Sequence, residues 1–427
     1  MKVVINPARA DWRPLCERPG LEMEFLESAV KNVLTRVKSS GDAALRALTQ
    51  QFDQVIVDKL AVSSSEIESA EKTLNEDLKD AIRIAAANIE KFHEAQKRSF
   101  LEIETMPGVR CWRKAVPIGK VGIYIPGGTA PLFSTVLMLA IPARLAGCEE
   151  IVLCSPPDQT GNIHPAILFT ASLTGVKKIF KVGGAQAIAA MAYGTETIPA
   201  VYKIFGPGNQ YVTQAKQMVN QQGTAIDMPA GPSEVLVIGD EYANASFIAA
   251  DLLSQAEHGV DSQVIFVTTS EKMVHQVKEE IEKQVQLLPR KAIAQQALEN
   301  SISIVFHSWE DIADFTNEYA PEHLIINTQN CEAFSESIKT AGSVFLGPYT
   351  PESVGDYASG TNHTLPTNGF AKAYSGVSLE SFTRLMTFQK ITSDGIQKIG
   401  PVVEKMAAAE ELIGHQQSVS IRLRSLS

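Results

Sequence analysis

The chain has 427 residues, long enough for roughly two to four domains, each with its own core. Its 44% hydrophobic and 20% charged content is that of a soluble globular protein, and a net charge of −10 at pH 7 disfavours nucleic acid as a partner. No stretch approaches the roughly 20 consecutive apolar residues that span a bilayer. Residues 1–27 lack the apolar centre of a signal peptide, so the expectation is a cytoplasmic protein without a membrane partner.

The first 110 or so residues alternate helical patterns with short breaks. One such pattern covers 66–96, where Ser65 with Glu68 has the spacing of a capping box. The rhythm then changes to strand, glycine turn, helix. A strand at 121–125 runs into Pro126-Gly127-Gly128 and a helix over 132–145, and 151–154 is the next strand. The strand 178–182 leads through Gly183-Gly184 into a helix from Ala185, and Ile204-Phe205 through Gly206-Pro207-Gly208 into another. This is the pattern of a doubly wound α/β domain, which binds ligands beyond the carboxyl ends of its strands and favours phosphate at helix amino termini. Further strands at 235–238, 263–267, 302–306, 324–326 and 343–346 alternate with helices and predict a second sheet of the same kind. The helical stretch 396–415 stands outside this rhythm, like an arm.

The five cysteines, Cys16, Cys111, Cys148, Cys154 and Cys331, are odd in number and lack CxxC spacing. That argues against a disulfide framework or a four-cysteine zinc site and suits a reducing compartment. Cys148 and Cys154 flank an apolar run and read as small buried hydrophobes rather than as catalytic thiols.

Gln255 and His258 close a helix-like segment at 243–258, on neighbouring parts of one face. The spacing fits either a shared metal ion or a polar helix end before Gly259. In Gly355-Asp356-Tyr357-Ala358-Ser359-Gly360-Thr361-Asn362-His363, small and polar residues surround Asp356 and His363 in a predicted loop. A ligand set, a substrate contact and an Asx-type turn all fit. Pro321 is placed to open a helical turn bearing Glu322 and His323, two proton acceptors of different basicity, although adjacent Glu-His is common by chance. No complete GxGxxG fingerprint occurs, because Gly206-Pro207-Gly208-Asn209-Gln210-Tyr211 lacks the third glycine. His93, His164, His275 and His307 read as structural or solvated.

Seven stretches taken together resemble the histidinol dehydrogenase family: GIYIPGGTAPLFSTVLMLAIPA from Gly122, VGGAQAIAA from Val182, IFGPGN from Ile204, DMPAGPSEVLVI from Asp227, DLLSQAEHG from Asp251, PEHLI from Pro321 and GDYASGTNH from Gly355. The likeness runs through nearly the whole chain in one order. It implies two doubly wound Rossmann-like domains with small N- and C-terminal helical dimerisation segments. The expected division is an arm at 1–20, a zinc and substrate domain at 21–123 with 235–377, an NAD domain at 124–234 and an arm at 378–427.

The same resemblance implies one zinc ion per subunit, held by Gln255, His258, Asp356 and His415, nitrogen and oxygen donors suited to a catalytic site that admits substrate. It makes Glu322 and His323 the acid–base pair. The substrate pocket would comprise Ser233, His363 and Glu410 together with His323 and the four ligands, while Tyr124, Gln186 and Asn209 contact NAD. The implied reaction oxidises L-histidinol through L-histidinal to L-histidine with two NAD+, in a homodimer whose carboxy-terminal arm completes the partner's site. The alternative activity is a zinc hydrolase in which Glu322 activates metal-bound water.

Overall fold

The structure, a computed structural model, describes residues 1–19, 23–127, 130–229 and 231–426. Gly128 of the first predicted glycine turn, Ala230 of the DMPAGPSEVLVI stretch and the predicted arm boundary at 20/21 lie outside the described residues. The strands among the described residues, in chain order, are β1 (Lys2–Ile5), β2 (Ile103–Met106), β3 (Val109–Pro117), β4 (Lys120–Tyr124), β5 (Glu150–Ser155), β6 (Lys178–Lys181), β7 (Lys203–Phe205), β8 (Ala225–Ile226), β9 (Glu234–Gly239), β10 (Gln263–Thr268), β11 (Ile302–Val305), β12 (His323–Asn327), β13 (Ser343–Leu346) and β14 (Thr383–Ile391).

The chain divides into two compact units. The larger comprises residues 1–95 and 118–382. It holds two parallel sheets, of order β6-β5-β4-β7-β8 and β1-β11-β10-β9-β12-β13. From β4 in the first sheet and from β9 in the second, the chain winds outward to one side through two strands and then reverses to the other side, which is the doubly wound order, while β1 adds an edge strand beside β11. Parallel strands require crossover helices that cover both faces, so the strands read as unbroken apolar runs. VLVI in β9 and VIFV in β10 are buried at every position.

The helix Met23–Phe52 and the segment after it share a core with β4 to β7 through Leu34, Leu45, Leu48 and Leu60, against Ile188 and Ile204. Residues 26–60, grouped by sequence with the second sheet, thus pack on the first. The predicted helix at 66–96 is two helices, Ser64–Thr73 and Glu76–Glu94. Its capping box is Ser63 with Glu66, not Ser65 with Glu68: the Glu66 carboxylate accepts the Ser63 N–H at 2.9 Å, and Asn75 caps the second helix anew. No helix among the described residues is long and apolar enough to cross a membrane.

The smaller unit comprises 96–117 and 383–427. β14, β3 and β2 form an antiparallel sheet in which Trp112 stacks on Phe388 at 5.4 Å. The predicted stretch 396–415 is two helices, Ser393–Ala409 and Ile413–Arg424, which pack where Gly400 meets Leu423.

Gly206 closes β7 with φ +126°, and a Cβ there would collide with the Tyr124 carbonyl. Gly223 has φ +104° with open space around it. Gly206→Ala should therefore lose about 1–3 kcal/mol in urea unfolding, clearly more than Gly223→Ala, which meets only the backbone strain.

Candidate active site

Glu322 and His323 enter β12 directly, so the helical turn expected at Pro321 does not form. Gly342 and Ser343 donate backbone N–H bonds to the Pro321 and Glu322 carbonyls, which commits this segment to the sheet beside β13. The two side chains therefore sit at the amino ends of the second sheet's strands, opposite to the edge at which doubly wound sheets usually bind ligands. The helix Ala245–Ala256 follows β9 and runs back antiparallel, which returns Gln255 and His258 to the same edge. Ser233 immediately precedes β9 there, and its carbonyl accepts the Gln263 N–H.

A reciprocal pair of bonds locks the centre. Glu322 Oε2 accepts the Glu234 N–H at 2.9 Å, and the Glu322 N–H donates to Glu234 Oε1 at 3.3 Å. His323 turns Nδ1 towards the Glu234 carbonyl at 3.4 Å and Glu322 Oε2 at 3.6 Å, and Nε2 towards Asp356 Oδ1 at 3.2 Å, with its ring against Phe345. Burial opposes charge on His323, but Glu322 and Asp356 outweigh it and push its pKa well above the ordinary value. Burial raises Glu322 in turn, with His323 pulling the other way. Each group thus favours the charged form of the other within a buried site.

Asp356 stands on a short helix, Glu352–Tyr357, not in a loop. Burial favours its neutral form, yet the hydrogen bond from His323 and the nearby imidazoles hold it below the usual carboxylate range. Its carbonyl lies 2.7 Å from His363 Nδ1, and His363 Nε2 reaches Thr135 Oγ1 at 3.1 Å. Thr135 belongs to the helix that follows β4, so His363 bridges the carboxyl edge of the first sheet and the amino edge of the second. His258 is exposed to solvent within electrostatic reach of Asp356, His323 and His363.

Several residues that shape this centre gave no sequence signal. Glu234 is one of them. Its buried carboxylate receives Arg18 Nε at 2.8 Å and Nη2 at 3.0 Å. The Arg18 guanidinium also lies over the Tyr319 ring and donates to the Tyr319 carbonyl at 2.6 Å. Glu352 is another: it accepts from Ser254 at 2.5 Å, and its Oε2 has no partner. In the orientation that satisfies both ends of its amide, Gln255 donates to Glu352 Oε1 and accepts from the Glu234 N–H, each at 3.1 Å. Burial pushes Glu352 up to about 8 and Asp251 up to about 7. No Lys or Arg pairs with Asp251, Glu352 or Asp356 among the described residues, so burial holds Asp251 and Glu352 towards their neutral forms, a cost that a bound cation would relieve. Among the described residues, no three His, Cys, Asp or Glu side chains converge closely enough to hold a metal by themselves. His415 and Glu410, both exposed, belong to the smaller unit.

Tyr124, Gln186 and Asn209 line one cavity of about 1030 Å³ at the carboxyl edge of the first sheet. Tyr124 Oη accepts the Gly184 N–H at 3.1 Å, and Asn209 Oδ1 caps the helix Gln210–Gln221 through the Val212 N–H. The helices from Gly184 and Gln210 begin beside this cavity, which favours anionic ligands there. Nearby, Asp227 pairs with buried Lys216 and accepts the Gly206 N–H at 2.8 Å, which pins the glycine turn after β7.

Removing one partner of a buried ion pair strands the other charge. Arg18→Ala should cost about 3–5 kcal/mol in chemical denaturation, and adding Glu234→Gln should recover part of that loss. Additive losses in the double variant would mean that the pair does not carry the stabilisation.

A family model for histidinol dehydrogenase matches residues 16–423. The histidinol dehydrogenase of Bacteroides thetaiotaomicron is 58% identical over 426 residues, covering 100% of both chains. That of Pectobacterium atrosepticum is 51% identical over 419 residues, 97% of this chain and 94% of its own. The crystal structure of histidinol dehydrogenase from Elizabethkingia anophelis has a TM-score of 0.97 at 57% identity, covering 100% of this chain and 98% of that one. The likeness extends from before Arg18 to beyond His415, through every residue of both edges described above, and the chain belongs to the histidinol dehydrogenase family.

Proposed function

We propose that the protein oxidises L-histidinol through L-histidinal to L-histidine, reducing two NAD+ in the last steps of histidine biosynthesis, with Glu322 and His323 as its acid–base pair. The observation that carries this reading is the buried Glu322–His323 pair, held on both sides by Glu234 and Asp356 within a chain that matches the family throughout. His323, in its neutral form, takes the hydroxyl proton of histidinol at Nε2, where the substrate hydroxyl replaces Asp356 as the partner, since Nδ1 is turned inward to the Glu234 carbonyl and Glu322. Asp356, held anionic, stabilises the imidazolium that results. An aldehyde has no hydride and proton to give as a pair until water adds. Glu322, its pKa raised by burial, accepts a proton from that water, the imidazolium of His323 returns its proton to the former carbonyl oxygen to complete the hydrated aldehyde, and the neutral imidazole then takes a hydroxyl proton as the second hydride leaves. Ser233 and His363 flank the substrate.

When bound, NAD supplies the hydride acceptor and zinc a redox-inert anchor that retains the aldehyde. Tyr124, Gln186 and Asn209 would hold NAD. Gln255, His258, Asp356 and His415 would hold zinc and, with Glu410, the substrate; the surplus of buried carboxylates around Glu352 supports a cation there. We place His415 and Glu410 in the partner's site of a homodimer. The exposed Val402, Met406, Leu412, Ile413 and Ile421 of the smaller unit support a covering second copy. The five free cysteines support a cytoplasmic location.

Anaerobic incubation with histidinol and NAD should give two NADH for each histidine formed, and a ratio of one with histidinal released would overturn the reading. Glu322→Gln should slow oxidation of supplied histidinal at least tenfold more than oxidation of histidinol, in single-turnover measurements. Equal losses would remove Glu322 from water activation.

His258→Ala and His415→Ala subunits, each inactive alone, should recover roughly a quarter of wild-type activity when mixed under verified exchange, because about half the dimers then carry one intact site of two. No recovery would assign His415 to its own subunit.

A further inference from the structure

The cavity that carries Tyr124, Gln186 and Asn209 is also lined by Asp53, which directly follows the helix Met23–Phe52. Asp53 Oδ2 is buried without a hydrogen-bond partner, and its charge reaches Tyr124. Burial alone accounts for the rise of its carboxyl to about 6, so no cation or donor offsets the cost. Asp53 as a whole is half-buried in the cavity wall, so its carboxylate can turn to accept a donor from the ligand.

A dinucleotide offers ribose hydroxyls and amino groups as donors, while its pyrophosphate is repelled by a carboxylate. In doubly wound folds an acidic side chain near the second strand commonly receives the adenosine ribose. Asp158 stands at that place after β5 and also lines the cavity, but its carboxylate is fixed by the turn it closes, with Oδ1 accepting from Thr160 N–H at 2.8 Å, the Thr160 hydroxyl at 2.6 Å and Asn162 N–H at 3.1 Å, so only Oδ2 is left for a ligand. Neither Glu322 nor His323 lines this cavity, so the hydride-accepting ring belongs beyond it and the adenosine end within it. No Lys or Arg is among the described lining residues, and the one histidine, His164, spends Nδ1 on the Ala166 N–H. A 2′-phosphate would bring a charge of about −1.5 to −2 to this wall with no guanidinium or ammonium to receive it.

We infer that Asp53 is a specificity-determining residue of the dinucleotide site, accepting the 2′-hydroxyl of the adenosine ribose and rejecting a 2′-phosphate. The inference rests on the reading of this cavity as the NAD site.

The test compares NAD, 2′-deoxyadenosine-NAD and NADP as oxidants of histidinol with the full-length protein. The wild type should show KM about tenfold higher for the 2′-deoxy compound than for NAD, with the effect in KM rather than kcat. In Asp53→Ala that ratio should fall to about two. In Asp53→Asn the preference for NAD over NADP should fall at least tenfold, and Asp53→Glu should restore it. Melting temperatures of Asp53→Ala and Asp53→Asn should equal or exceed that of the wild type, since a carboxylate oxygen buried without a partner is lost. A wild type that uses the 2′-deoxy compound as well as NAD would overturn the inference without requiring any variant to fold. Unaltered NADP discrimination in folded Asp53→Asn would do so too. Calorimetric titration with NADH separates the two failures: if Gln186→Ala weakens binding while Asp53→Ala does not, the cavity reading stands and the inference falls. If neither does, the cavity reading falls as well.

Discussion

The carboxylate of Glu234, buried at the amino end of β9, ties the amino-terminal segment to β9 and β12. It receives both arms of the Arg18 guanidinium, which itself lies over Tyr319, and it accepts the backbone N–H of Glu322. Its own N–H and carbonyl then fix the Glu322 carboxylate and His323 Nδ1. A buried charge is tolerable only when paired and hydrogen-bonded, so this arrangement requires the amino-terminal segment, β9 and β12 to be assembled together. Glu322 and His323, the proposed acid–base pair, inherit their orientation from that requirement. Tyr319 extends the support, because its hydroxyl donates to Gln263 at the start of β10.

The two sheets have the same winding but present opposite edges to the chemistry. The first offers its carboxyl edge, where turns after the strands lead into helix amino termini and shape a large cavity. The second offers its amino edge, where no helix amino terminus is required and acidic and imidazole side chains gather instead. The bridge from Thr135 through His363 to Asp356 ties the two edges. Hydride transfer needs a cofactor and a proton-accepting pair within reach of one carbon atom, and opposed edges allow each partner its own scaffold.

Much of this was legible in the residues. Apolar runs such as VLVI and VIFV, each followed by turn residues and a helical period, identify buried parallel strands, because only crossover helices cover both faces of such a sheet. Apart from β8, for which no strand was expected, the strands from 121 to 346 stand within a residue or two of their expected places. The PEHLI and GDYASGTNH stretches point to Glu322, His323, Asp356 and His363, which the fold brings together. Local structure was less legible. Pro321 suits a helical start, but pairing with β13 outweighs that preference. Ser65 suits a cap, but Ser63 two residues earlier takes Glu66 first.

Sequence by itself determined the class of fold, the family and the set of chemical groups, since these depend on residue type and spacing along the chain. Only the tertiary structure decided that Arg18 neutralises Glu234, that the pair stands at the amino edge of its sheet, and that Asp53 and Glu352 are each left with an oxygen unpartnered. Such facts depend on contacts between residues as far apart as Arg18 and Glu234, and neither residue carries a local mark of its partner. Burial and pairing set the charge state of a group, and both exist only once distant segments have packed.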